Sequence, residues 1–139
     1  MGILWIKRLL DRLRAAPPED PKSWGASGED EAAKRLHKKG YKILERNVRF
    51  SHGEIDIVAL DGPVLCFVEV KSRRSARFGP AALAVTPAKQ RKIKKLAEAY
   101  ILKHRLRNIN CRFDVVTVEQ QDGQTVVDII PDAFRCDPR

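Results

Sequence analysis

Two carboxylates and a lysine in the middle of the chain could do chemistry together: Asp56, then Glu69 and Lys71. Asp56 lies in a stretch where Ile55 and Ile57 alternate with Asp56 and Val58, the period of a strand. Glu69 follows Val64-Leu65-Cys66-Phe67-Val68, a run apolar at every position, as in a strand covered on both faces. Asp61-Gly62 between them is a hairpin signal. If the loop spans Asp61 to Val64, Leu60 faces Leu65 and Asp56 faces Glu69, with Cβ atoms about 5 Å apart. A two-residue turn at Gly62 keeps the parity and makes the carboxylates diagonal neighbours. Lys71 shares the face of Glu69, and Glu54 that of Asp56, because alternate strand residues do. Two carboxylates this close repel, so one holds its proton or a cation joins them. Such oxygen ligands suit Mg²⁺ or Mn²⁺ completed by waters and a substrate phosphate. The cation would polarise a phosphoryl oxygen and acidify water, while a lysine steadies charge on the phosphate. The residues therefore suggest metal-assisted phosphodiester hydrolysis. The bland alternative is a cross-strand ion pair on a solvated face, and the apolar run before Glu69 argues against it.

The elements that must position these groups follow from the punctuation of the chain. A helix is expected over about residues 23–39, with Ser27 and Asp30 resembling an N-terminal cap and Trp24 hinting at a start one turn earlier. Ala32, Ala33 and Leu36 line its inner face, and Gly40 closes it. Three strands follow, over about 41–50, 54–60 and 64–71. Residues 72–85 read as irregular and basic. Thr86-Pro87 opens a second helix running to about His104, and strands over 112–120 and 125–130 complete the chain. A long helical crossover most often returns to a parallel strand, so the sheet is expected to be mixed within an α/β layer. Residues 1–22 form a separate leader. Ile3, Ile6, Leu9, Leu10 and Leu13 recur at helical spacing among basic residues, and a Pro-rich linker follows. This leader reads as a helix packed on the domain, with a surface-binding helix as the alternative. Residues 23–139 form the domain proper.

The same residues carry a family resemblance. Gly28-Glu29, Gly53-Glu54-Ile55-Asp56, Phe67-Val68-Glu69-Val70-Lys71-Ser72-Arg73, Phe78-Gly79 and Thr86-Pro87-Ala88-Lys89-Gln90-Arg91 closely resemble the bacterial YraN family of predicted endonucleases, over about residues 24–119. That family is similar to the PD-(D/E)xK superfamily and, within it, to archaeal Holliday-junction resolvases. The resemblance implies a restriction-endonuclease-like αβββαβ core with a central mixed sheet flanked by helices. It implies that Asp56, Glu69 and Lys71 form the catalytic site, and that Glu29 on the first helix joins Asp56 and Glu69 as a metal ligand. Resolvase-like nucleases usually cut as dimers, so it also implies a homodimer. Ile55 replaces the motif's proline, and Lys94 stands where a tyrosine four residues after Gln90 would mark the helicase-associated nucleases. Gln90 is left open between a site role and a helix residue bonded to backbone. Glu54 reads as structural or supporting, His52 as a loop residue, Asn47 as a turn or backbone-bonding residue, and Trp24 as core.

Charge points the same way. Among 139 residues, Lys and Arg number 27 against 18 Asp and Glu, a net charge of +9. Arg73, Arg74 and Arg77 flank the candidate site, and Lys89, Arg91, Lys92, Lys94 and Lys95 begin the helix that follows. Clustering around one site favours phosphate contacts by Arg73, Arg74, Arg77, Lys89, Arg91, Lys92 and Lys95 over a merely solvated face. No base-reading motif is present, so backbone or shape recognition of DNA is expected. Cys66, Cys111 and Cys136 are too dispersed for a zinc site or disulfide framework, which suits a reducing cytoplasm. No apolar run reaches the ~18 residues of a membrane span. Ile6 spoils a myristoylation signal, and Lys7, Arg8, Asp11 and Arg12 interrupt a signal peptide. The expectation is a Mg²⁺- or Mn²⁺-dependent endonuclease acting on structured or branched DNA. Its rivals are a non-catalytic nucleic-acid-binding protein that keeps the fold, and a scaffold whose leader docks a membrane or a protein.

Overall fold

Five strands in sequential order form one sheet, β1 (Lys42–Phe50), β2 (Gly53–Asp61), β3 (Val64–Arg73), β4 (Cys111–Gln121) and β5 (Gln124–Phe134). The structure, a computed structural model, describes residues 4–13, 19–73 and 85–135. All neighbouring strands are antiparallel except β3 and β4, which are parallel. The crossover between those two carries α3 (Pro87–Lys103), so the mixed sheet expected from the helical connection is present. Before the sheet come α1 (Leu4–Leu13), a 3₁₀ turn (Pro21–Ser23) and α2 (Gly28–Lys38). From α2 to β4 the order is helix, three strands, helix, strand, the αβββαβ arrangement.

Each face of the sheet is covered. Ala32, Ala33 and Leu36 of α2 pack with Ile57, Cys66, Val68 and Val116 on one side. On the other, Ile93, Leu96 and Tyr100 of α3 meet Val58, Leu65, Phe67 and Val115. The central run of β3 thus feeds both layers alternately, which is why its sequence has no polar face. Helix α1 buries Trp5, Leu9 and Leu13 in the α3-side core, so the leader packs on the domain.

Two boundaries depart from the sequence reading. The first long helix begins at Gly28 rather than at residue 23. Pro21 and Gly25 break the earlier stretch, Ser27 caps the helix by accepting from the Asp30 amide at 3.1 Å, and Asp30 in turn accepts from Gly25 N at 2.9 Å. Trp24 is buried outside the helix, edge-on to His37, and mimics its period. Strand β5 runs on to Phe134 through Pro131, which lies on an edge strand, where a missing donor costs no ladder bond. At the end of the sheet marked by the β2–β3 turn, fully buried Asp114 accepts from Arg112 Nε at 2.8 Å, from Tyr41 Oη at 3.1 Å and from the Asp132 amide at 2.9 Å. A buried carboxylate requires such company.

Candidate functional site

The β2–β3 ladder starts at Asp61–Val64, passes Leu60–Leu65, and stops at Ile57–Val68. Both strands continue beyond it, β2 back to Gly53 and β3 on to Arg73. The register carried one residue further would set Asp56 opposite Glu69. Instead the strands fork, and the Asp56 carboxylate enters the gap, where Oδ2 accepts from the Val70 amide at 2.8 Å. A side chain takes the place of a ladder bond that the fork has removed.

The fork coincides with a break in strand alternation. Ile55 points into the α3-side core and Ile57 into the α2-side core, although strict alternation would put both on one side. Opposite, on β1, Arg46 pairs with Ile57 and Val48 with Ile55, so the break falls at Asn47. Asn47 has φ +54°, a left-handed conformation in which asparagine is among the better-tolerated residues.

This kink brings carboxylates from two elements together. Ligand oxygens of Glu29, Glu54 and Asp56 all lie within 4.8 Å of one another, each on a half-buried residue. Glu29 arrives in the first turn of α2, where a negative charge faces the positive end of the helix. The close seat of that turn depends on Gly28, where a Cβ would collide with Ser72 Oγ and sit 3.1 Å from Ser72 Cβ. Glu54 is also paired with the exposed Arg49, Nε to Oε2 3.3 Å. Burial pushes the Asp56 carboxyl up to about 6 despite the Val70 hydrogen bond, with the charges of Glu69 and Glu54 adding to the rise and Lys89 opposing it. Glu29 is raised as well, first by burial and then by the charge of Asp56, with Arg46 and Asn47 pulling it back.

The remaining sequence candidates are distributed around this cluster. Glu69 is close enough to act on Asp56 electrostatically, but its Oε1 is held by Lys89 Nζ at 3.3 Å, and its side chain is only 12 % exposed. Lys71 is half-buried two residues on, and no partner for its ammonium occurs among the described residues. The Gln90 amide donates to the Val85 carbonyl at 2.9 Å, which is its backbone-bonding reading. Arg73 is committed to Glu119 at 2.9 Å, with side chains only 15 % and 8 % exposed. That pair follows from the parallel register, which sets Arg73 beside Glu119. Of the proposed phosphate contacts, Arg91, Lys92 and Lys95 are exposed on α3, and Lys92 passes close to Gly53, where a Cβ would lie 2.9 Å from its Cε. Arg74 and Arg77 lie outside the described residues.

Sequence reasoning missed two participants. Glu54 stands in the cluster as a full member, a place its shared parity with Asp56 already hinted at. Asn47 donates from its amide nitrogen to Glu29 at 3.2 Å (Oε1) and 3.0 Å (Oε2), in the amide orientation that satisfies the contact. Nothing in a strand-like sequence signals that bond. No helix among the described residues is long and apolar enough to cross a membrane.

Residues 28–118, which contain the whole cluster, match the family described as Uncharacterised protein family UPF0102. A UPF0102 protein of Symbiobacterium thermophilum is 50% identical over 111 residues, covering 79% of this chain and 94% of that protein. One from Syntrophus aciditrophicus is 48% identical over 110 residues, 79% of this chain and 87% of its own. One from Chlorobium chlorochromatii is 47% identical over 124 residues, 85% and 95% respectively. The chain therefore belongs to the uncharacterised family UPF0102, the YraN family whose motifs it carries.

Proposed function

We propose that this protein is a divalent-cation-dependent endonuclease acting on the backbone of structured or branched DNA. The observation that carries the reading is the half-buried trio Glu29, Glu54 and Asp56 at the β2–β3 fork, with Glu69 acting on Asp56, Lys71 two residues further along β3, and Lys89 of α3 paired to Glu69. The donor set fits Mg²⁺ or Mn²⁺: hard carboxylate oxygens from separate elements, gathered where like charges raise one another's pKa and a cation would relieve them. Asp56 and Glu29 would hold the cation with Glu54, and Glu69 would join on release from Lys89. When bound, the cation supplies Lewis-acid chemistry, polarising a phosphoryl oxygen and acidifying water.

The chain's own residues do the rest. Lys71, whose ammonium has no partner among the described residues, offers its charge to the phosphate as negative charge builds there. Lys89 exchanges between Glu69 and an incoming phosphate oxygen. Arg91, Lys92 and Lys95 hold neighbouring phosphates, a contact that reads no bases. Arg73 instead ties β3 to β4 through Glu119.

The experiment incubates purified protein with end-labelled duplex, flap, single-stranded and four-way DNA, in Mn²⁺ and in EDTA. Cleavage of branched substrates that requires Mn²⁺ supports the reading. Tight binding of the same DNA without cleavage in Mn²⁺ or Mg²⁺ would replace it with a non-catalytic DNA-binding role.

A further inference from the structure

We infer that Asn47 is a positioning residue for the cation site: it aims the Glu29 carboxylate at Asp56. The inference rests on the metal-centre reading above and names a residue that reading does not use. Three observations converge on it.

The Asn47 amide nitrogen reaches both oxygens of Glu29, at 3.2 and 3.0 Å. A carboxylate has about four lone-pair positions, so these two bonds orient the group and leave it acceptor capacity for a further partner. The second observation is the backbone. Asn47 holds φ +54° inside a strand, at the point where β1 reverses its faces and opposite the same reversal at Asp56. A regular strand would send residue 47 to the other face, so the left-handed turn is what delivers the amide to α2. The third is the neighbouring contact. Arg46, the preceding residue, holds Asp30, the residue after Glu29, at 2.8 Å, with its side chain only 8 % exposed. Consecutive residues of β1 thus grip consecutive residues in the first turn of α2. Arg46 secures the helix, and Asn47 sets the direction of the carboxylate that α2 brings to Asp56. Groups that orient a ligand without touching the metal change affinity by roughly 10–100-fold when removed.

The test separates the amide from the backbone. Asn47→Gly removes the amide and accepts a positive φ freely, whereas Asn47→Ala removes the amide and strains at that φ. Mn²⁺ affinity is read by the loss of the free-ion EPR signal, and folding by thermal melting without cation. Both variants are expected to bind Mn²⁺ roughly tenfold or more weakly than wild type, by similar factors, although Asn47→Ala melts lower than Asn47→Gly. Adding Glu29→Gln to Asn47→Gly should cost no further affinity beyond Glu29→Gln alone. Wild-type affinity in Asn47→Gly, or an affinity that tracks melting temperature, would overturn the positioning role. So would an Asn47→Gly effect that persists in full in the Glu29→Gln background. If wild type itself binds no Mn²⁺, or binds it as well after Asp56→Asn, the metal-centre reading fails and this inference falls with it. Asp56-dependent binding that ignores Asn47 overturns the present inference alone.

Discussion

Replacing Asp56 with asparagine should stabilise the cation-free protein at neutral pH, in a pH-dependent way. The Asp56 carboxyl is raised from its ordinary 3.8 to about 6, chiefly by burial. A folded pKa above the unfolded one means that the native state holds the proton longer. The resulting stabilisation is complete below the unfolded pKa and is lost as pH rises through the folded pKa. Wild type should therefore weaken between about pH 4 and about pH 6 and stay weakened above. A shift of about two units corresponds to about 3 kcal/mol at 1.36 kcal/mol per unit, and partial exposure brings that to about 2 kcal/mol. Asparagine keeps an oxygen to accept from the Val70 amide and carries no charge to desolvate. The variant should match wild type below about pH 4 and exceed it by about 2 kcal/mol at pH 7.5, or roughly 5–10 °C in melting temperature for a chain of this size. Glu29 is raised by the same causes, so a shallower slope should persist in the variant. The assay is thermal melting of both proteins from about pH 3.5 to 8 in EDTA. Parallel stability curves across that window, or a variant less stable at pH 7.5, would refute the argument that burial of an ionised Asp56 strains the fork.

Three other outcomes follow from particular contacts. Neutralising Lys92 and Lys95 together should weaken binding to all DNA sequences alike and reduce the slope of log affinity against log salt by about one unit per lost contact; an unchanged slope removes these residues from the interface. Gly28→Ala should push α2 away from Ser72, destabilising the protein by roughly 1–3 kcal/mol in chemical denaturation and weakening Mn²⁺ binding through Glu29; full stability with full affinity would mean that the first turn of α2 can shift without consequence. Arg73→Ala should lower stability in chemical denaturation, because Glu119 loses its guanidinium partner and keeps the Gln121 amide at 3.0 Å, and a stable variant that loses only DNA affinity would restore Arg73 to a phosphate-binding role.

Much of the site's scaffold was legible because it is local. The Asp61-Gly62 signal was enough to set Leu60 opposite Leu65, the register observed, and so to bring Asp56 and Glu69 to the point where the hairpin opens. Thr86-Pro87 marked the start of α3 because a capping hydroxyl followed by proline has a local cause: Thr86 Oγ1 accepts from the Lys89 amide at 3.2 Å. What could not be read depends on distance in sequence. Glu69 meets Lys89 only after the crossover is complete, and Arg73 meets Glu119 only once β3 and β4 align. The fork itself was hidden. An alternating pattern implies an unbroken strand, and only the left-handed Asn47 reveals that β1 and β2 reverse together. That reversal turns Asp56, with Glu54, toward Glu29 of α2, so the joining of Glu29 to the pair was the least legible feature of the site. The family motifs supplied Glu29 by resemblance, where spacing alone offered no reason to choose it.

On the proposed reading, the acidic fork forms a cation-dependent phosphodiesterase centre. Its most direct test is the initial rate of cleavage of an end-labelled four-way DNA junction, measured against Mn²⁺ concentration for wild type, Asp56→Asn and Lys71→Ala. All three proteins must first be shown to be free of contaminating nuclease. Saturable, Mn²⁺-dependent cleavage is expected of wild type, with a fall of at least about 100-fold in both variants and near-wild-type Mn²⁺ and DNA affinity in Lys71→Ala. Cleavage at the wild-type rate by either variant, or no cleavage by wild type that binds both the junction and Mn²⁺, would contradict it.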